Sequence, residues 1–211
     1  MTIKKQFFKK NSQTIFNIYF LCNIAGWIGW SGYQMIREQK FGFNEISFVC
    51  QNIILLMVVL LRKPHQGIDP SLPHQLVALV AFCSGALLIG QPATHHPFLT
   101  SISSLIIVCA NVFGIMTLLN LGRSFGVLIA IREVKTGGLY SLIRHPMYGT
   151  DILLRLGFII SHFNALTAMI FVASTSCYVY RAILEEKFLS HNPAYRQYMA
   201  KVSYRFIPGI F

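Results

Sequence analysis

The stretch FLTSISSLIIVCANVFGIMTLLNL runs from Phe98 to Leu121 without one charged side chain. At about 1.5 Å of rise per residue such a helix crosses the roughly 30 Å hydrocarbon core of a bilayer, and that reading decides the class of the chain. Upstream, Ile15 to Met35, Ile46 to Leu61 and Leu76 to Gly90 are apolar blocks of the same kind. Downstream, Gly149 to Phe163 and Ala165 to Tyr180 are shorter, about 22 to 24 Å as helices. They predict a short hairpin turning at Ser161, His162, Phe163 and Asn164. The expectation is an all-α integral membrane bundle of about six membrane helices. It forms one domain over residues 1–211, with membrane helices in 1–121 and the chemistry in 122–211.

Composition agrees: 54% of the 211 residues are apolar and only 12% are charged, with a mean hydropathy of +0.54, which excludes an ordinary soluble domain. The net charge of +11 invites a nucleic-acid reading, but the position of the cations argues otherwise. Lys4, Lys5, Lys9 and Lys10 precede the first block. Arg62 and Lys63 follow the second, and Arg123, Arg132, Lys135 and Arg144 follow the fourth. Arg181, Lys187, Arg196, Lys201 and Arg205 lie in the tail. Cations near span ends are retained in the cytoplasm, so these place both termini on the cytoplasmic side and leave Arg37 and Lys40 outside. Charge is then a matter of topology, with the lipid bilayer and no nucleic acid as partner. The N-terminal cations precede an apolar run as long as a span with no small-residue cleavage site, so the run is read as an anchor in a mature chain.

Cys22, Cys50, Cys83, Cys109 and Cys177 lie in apolar stretches without CxxC or His spacing, so neither a disulfide framework nor a metal site is expected. His65, His74, His95, His96, His162 and His191 lack ligand spacing as well. No internal repeat of the sort transporters carry is visible.

Reactive side chains concentrate in the last third. In VKTGGLYSLIRHPMY, residues 134–148, Gly137 and Gly138 allow unusual backbone and free amides. Pro146 suits the first turn of a helix, which puts Arg144 and His145 at its positive end. That is a cradle for an anionic group or an ordinary loop. Arg181 and Glu185, four apart with Glu186 adjacent, are either a surface ion pair or part of a polar cavity at a membrane helix end. Asp151 and Arg155 repeat that spacing inside the fifth block, either as functional groups or as a pair that holds the hairpin together. The tail from Pro193 to Pro208 mixes aromatics with cations, as an amphipathic surface helix does unless it closes a pocket.

In order, these elements resemble a known group of enzymes. Gly122-Arg-Ser-Phe125, Thr136-Gly-Gly-Leu-Tyr140, Arg144-His-Pro-Met-Tyr148, Gly157, the Glu185-Glu186 pair, Leu189, Tyr195 and Tyr198 are similar to the isoprenylcysteine carboxyl methyltransferase and phospholipid methyltransferase family. Pro193 departs from it where a glycine often precedes the Tyr-x-x-Tyr element. The resemblance implies a membrane methyltransferase without a Rossmann domain, using S-adenosylmethionine and a lipophilic substrate that arrives from the membrane. It further implies a cofactor pocket formed by Arg132, Glu133, Val134, Lys135, Tyr140, His145, Pro146, Met147, Tyr148, Glu185 and Glu186. Arg181 would face the substrate and, with Glu185, carry the catalysis, while Asp151 and Arg155 would stand behind them. The compact chain looks like bacterial or archaeal members. An isoprenylcysteine-type carboxylate, already ionised at pH 7, would be oriented by a two-point contact with Arg181, and His145 would meet the carboxylate of the cofactor.

Two other readings remain. Sterol C14-type reductases share the Arg-His-Pro-x-Tyr element, an acid three positions later as at Asp151, and an ending like VSYRFIP, residues 202–208. A non-enzymatic membrane subunit or small transporter is the other.

Overall fold

Prolines mark where helices begin. Pro97, Pro146 and Pro193 each open one, and Pro73 sits in the first turn of another, where a missing N–H costs nothing and a fixed φ helps. The computed structural model describes residues 3–39, 41–93 and 96–210, with side chains described from residue 18 onward. Lys40, His95 and the side chains of Lys4, Lys5, Lys9 and Lys10 lie outside the described residues. Seven helices follow in order: α1 Ile3–Glu38, α2 Phe43–Leu61, α3 Leu72–Cys83, α4 Pro97–Leu121, α5 Pro146–Ser161, α6 Ala165–Leu189 and α7 Pro193–Lys201. Two strands of two residues each, β1 Gly67–Ile68 and β2 Ala130–Ile131, pair antiparallel. The all-helical membrane class holds, without a Rossmann fold.

Among the described residues three stretches are long and apolar enough to cross a membrane: Phe43–Leu61, Pro97–Ser124 and Ala165–Leu189. The last corrects the expected short hairpin. Its turn lies where predicted, because Asn164 and Thr167 form a capping box, each side chain bonding the other's backbone N–H. Only α5, with 16 residues, is short. α6 has 25 and continues to Leu189 because its charges find partners inside the protein. The block Leu76 to Gly90 is not one helix either. α3 stops at Cys83 and tightens into a 3-10 turn over Ser84–Leu88. Arg155 of α5 donates to the Ala81 carbonyl at 3.0 Å and to Ser84 Oγ at 2.7 Å, drawing on acceptors at the end of the α-helical ladder.

α4 and α5 pack closely at Gly157. A Cβ there would stand 2.8 Å from Ile107 Cγ1 and 3.2 Å from the Ile107 backbone nitrogen. Ser103 Oγ donates to the Gly157 carbonyl at 2.7 Å, with Ser161 Oγ 2.9 Å away. Small residues and hydroxyls are what hold helices together in lipid. A separate apolar core joins Phe20 and Ile24 of α1, Leu55 and Val59 of α2, Leu118 of α4, and Phe125 and Val127 of the loop beyond it.

That loop is tied to one end of the bundle. β1 and β2 pair, the Lys63 N–H donates to the Arg123 carbonyl at 2.9 Å, and Arg123 Nε returns a bond to the Leu61 carbonyl at 2.9 Å. The Gln75 amide brackets Ile129, accepting from its N–H at 3.0 Å and donating to its carbonyl at 3.1 Å. The C-terminal tail joins the same end, where Tyr204 and Arg205 carbonyls accept from the N–H groups of Arg144 and His145 at 2.9 Å each. The three cation-bearing segments after α2, after α4 and after α6 thus meet on one face.

Candidate functional site

At the start of α5, His145 is the N-cap and Pro146 the first helical residue. The cations here are engaged. Glu186, 3% exposed, accepts from Arg144 Nε at 2.7 Å and from Arg205 Nε at 2.9 Å, and lies 3.0 Å from His145 Nε2. Arg144 Nη1 is spent on the Val202 and Ser203 carbonyls at 2.8 and 2.9 Å. One carboxylate therefore joins α6, the α5 entrance and the tail. Charge-assisted bonds of this kind are the strong ones.

One turn back along α6, the Arg181–Glu185 pair separates. Arg181, 3% exposed, donates from Nη1 to the Ala78 carbonyl at 3.2 Å and from Nη2 to the Val127 carbonyl. Its guanidinium lies over the Tyr148 ring, 4.7 Å from the centroid. Tyr148 in turn donates its hydroxyl to Glu185. Arg181 Nε is buried with no hydrogen-bond partner. Nη1 and Nη2 are thus each engaged once, while the Nε–H is not.

Asp151 and Arg155 also form no direct ion pair among the described residues. Tyr178 stands between them, donating to Asp151 at 2.5 Å, with its hydroxyl 3.4 Å from Arg155 Nη2. Phe206, His145, Tyr148 and Tyr178 form a column of rings with successive centroids 5.8, 5.2 and 5.4 Å apart.

These groups surround an open cavity roofed by the loop from Ser124 to Lys135 and walled by α5, α6 and α7, with about 1020 Å³ of unfilled space, mouth included. At Gly126 the Arg132 guanidinium lies against the position a Cβ would take. Burial, helped by the like charge of Arg62, pushes Arg132 down to about 10. Burial raises the hydroxyls of Tyr140 and Tyr195, reinforced by Glu185, and that of Tyr198, so all three stay neutral donors at physiological pH. Tyr198 spends its proton on the Tyr140 carbonyl at 2.8 Å. Besides Arg181, two residues of the cavity lining, Arg132 and Ser124, carry a buried atom without a partner, Nη1 and Oγ. Buried polar groups are normally satisfied.

With this geometry in place, residues 102–191 match the model of the isoprenylcysteine carboxyl methyltransferase (ICMT) family. That segment is similar to the ICMT family. It runs from near the start of α4 to just beyond α6 and includes the α5 entrance, Arg181 and both glutamates. ICMT enzymes are membrane methyltransferases, and methyl transfer is the activity the match supports. A solved structure similar to the chain is that of the eukaryotic intramembrane Ras methyltransferase ICMT without a monobody. The two share 16% identity over 95% of this chain and 86% of that one, with a TM-score of 0.47. No curated protein matches the chain.

Of the positions that the ICMT resemblance singled out, Arg132, Glu133, Val134, Lys135, Tyr140, His145, Met147, Tyr148, Asp151, Arg181 and Glu185 line the cavity. Pro146, Arg155 and Glu186 do not: the first starts α5, the second braces α3 and the third binds the cations of the entrance. Gly137 and Gly138 also lie off the cavity. Gly138 has φ 56° and packs against Asn120, whose amide donates to the Gly137 carbonyl at 2.8 Å. The glycine at the cavity is Gly126. Sequence reasoning gave Ser124 only as part of the Gly122 to Phe125 element, with no role, and missed Gly126 and Tyr178. Tyr178 was within reach, since with Arg181 and Glu185 it forms an i, i+3, i+7 face.

Proposed function

We propose that this chain is a membrane methyltransferase that takes its methyl group from S-adenosylmethionine and passes it to a lipophilic acceptor bearing a carboxylate, at the cytoplasmic face of a bacterial or archaeal cell membrane. The carrying observation is Arg181 Nε, a buried guanidinium N–H without a partner on the wall of a cavity that also holds Glu185, fixed by Tyr148. An unpaired buried donor is costly. An acceptor carboxylate seated there would relieve it.

The residues present fit the donor. Glu185 has a second carboxylate oxygen for the amino or ribose groups, and neutral tyrosines 140, 195 and 198 and the stacked His145–Tyr148 pair offer an amphipathic wall for a nucleoside. When bound, S-adenosylmethionine supplies a sulfonium-activated methyl group. The chain's own part is alignment and exclusion of water. Arg181 holds the carboxylate oxygen in line, and the Tyr148 ring beneath it fixes the guanidinium plane. Transfer to a carboxylate oxygen would form an oxygen–carbon bond and leave the electron pair of the broken carbon–sulfur bond on sulfur. No proton moves, so no general base is called for.

Calorimetry on detergent-purified protein tests this reading. S-adenosylhomocysteine is expected to bind wild type, to bind Glu185→Ala at least about tenfold more weakly and to bind Arg181→Ala nearly as well. Arg181→Ala should still lose methyl transfer, while Lys187→Ala, on the exposed side of α6, retains it. Binding of NADPH without S-adenosylhomocysteine would instead support the reductase reading, to which Asp151 in the cavity wall belongs. Absence of both would remove the donor assignment.

A further inference from the structure

Along the seam of α5 and α6, charges alternate from the entrance inward: Glu185, Arg181, Asp151, then Arg155. The reading above uses the first two, and Arg155 is spent on α3. Asp151 has no use there. It is half-buried in the cavity wall, and among the described residues no cation pairs with it. Tyr178, a neutral partner, donates to Oδ2 at 2.5 Å. Oδ1 accepts no hydrogen bond and is not enclosed. A carboxylate inside a membrane bundle is costly unless it meets a partner, a polar cavity or a ligand.

Two crossed contacts set Asp151 relative to Arg181. On α5, Asp151 lies three positions after Tyr148, and on α6 Arg181 lies three positions after Tyr178. The Tyr148 ring carries Arg181 and Tyr178 holds Asp151, with the two rings 5.4 Å apart. Cation and anion therefore stand on the order of one helical turn apart along the seam, about 5.4 Å, and each feels the other's charge. A head group with a carboxylate and an ammonium on one carbon, hydrogen-bonded at both ends, spans such a gap. The methyl donor is a poorer occupant, because Asp151 lies one turn deeper than Arg181, away from Glu185 and the entrance.

We propose that Asp151, held by Tyr178, determines specificity for an acceptor with an amino-acid head: its Oδ1 takes the ammonium of the molecule whose carboxylate meets Arg181. This rests on the carboxylate acceptor proposed above and adds that acceptor's second charge. The transfer step is the same, with the methyl group passing to the carboxylate oxygen while the ammonium keeps its protons. Amide in place of ammonium removes the charge that Asp151 answers.

Three acceptors that differ only at the α-carbon test this: S-farnesylcysteine, its N-acetyl derivative, and 3-(farnesylthio)propionate, which has no nitrogen. Base-labile methyl ester formed from radiolabelled S-adenosylmethionine is followed with full-length, detergent-purified wild type, Asp151→Asn and Tyr178→Phe. Wild type should favour S-farnesylcysteine over the nitrogen-free acid by about ten- to a hundredfold in kcat/KM, as a charged hydrogen bond predicts, and chiefly through KM. The N-acetyl derivative should fall with the nitrogen-free acid. Asp151→Asn should narrow that ratio to about threefold or less, with S-adenosylhomocysteine affinity by calorimetry within about twofold of wild type. Tyr178→Phe should narrow it less. Equal use of all three acceptors by wild type overturns the ammonium site, whether or not the variants fold. Equal loss on all three in Asp151→Asn would mean a structural role, and weaker S-adenosylhomocysteine binding would give Asp151 to the donor; either overturns the proposal. Ester from none of the three, or label in a base-stable N-methyl product, would remove the carboxylate acceptor itself, an outcome distinct from ester formed without preference.

Discussion

The ring of Tyr148 carries Arg181 on its face, 4.7 Å from centroid to guanidinium carbon, and gives its hydroxyl proton to Glu185. One aromatic residue from the first turn of α5 therefore orients both charged groups of α6 that face the cavity. A cation over a desolvated ring is worth about 2 kcal/mol, and a hydrogen bond to a charged group about as much.

The two contributions of Tyr148 can be separated. Tyr148→Phe keeps the ring and loses the hydroxyl, so S-adenosylhomocysteine affinity should fall about three- to tenfold with the acceptor KM nearly unchanged. Tyr148→Leu removes the platform as well and should raise the acceptor KM too. Calorimetry and steady-state kinetics on the same preparations distinguish the two effects.

Glu186 faces two arginines and His145, and it does not line the cavity. Glu186→Gln leaves Arg144 and Arg205 buried or half-buried against each other and should cost about 3 kcal/mol of stability, seen as a lower Tm in detergent. Glu185→Gln one residue away should alter ligand affinity with little change in Tm. A Tm that is equal in the two variants would contradict this division of labour.

Gly157 is where α4 and α5 touch. Gly157→Ala forces its Cβ against Ile107, side chain and backbone, and should destabilise the pair by about 1–3 kcal/mol. Gly149, with open space around its Cβ position, serves as the control, and Gly149→Ala should leave thermal unfolding near wild type.

Much of the fold is legible in the sequence because the marks are local. Proline at helix starts, the Asn164 and Thr167 cap and the charge-free block before Leu121 each act within a few residues. The extent of α6 was not. Arg181, Glu185 and Glu186 resemble the charged end of a span, and only tertiary partners show why the helix continues: the Ala78 and Val127 carbonyls for Arg181, and Arg144, His145 and Arg205 for Glu186. The four-residue spacings left two readings open. Arg181 with Glu185 and Asp151 with Arg155 look like ion pairs, yet a tyrosine stands between the members of each. Ser124 and Gly126 lie in a loop with no periodicity, and their place at the cavity depends on β1 and the Gln75 amide, more than 45 residues away in the chain.

Arg155 allows a test of that long-range support. It holds Ala81 and Ser84 where α3 tightens and lies over the Tyr178 ring at 4.9 Å. Arg155→Leu should reduce stability by about 2–4 kcal/mol, through acceptors left unsatisfied and lost packing. It should also slow methyl transfer without weakening S-adenosylhomocysteine, while Arg155→Lys recovers part of both losses. Loss of donor affinity in Arg155→Leu would place this residue at the ligand.

The carbonyl of Ala78 belongs to α3, far upstream of every recognisable motif, yet it is one of the two acceptors that hold Arg181. Chimeras built by grafting the motif-bearing portion onto foreign anchors should therefore fail when the junction falls after α3. A boundary drawn by motif alone would cut through the machinery it is meant to preserve.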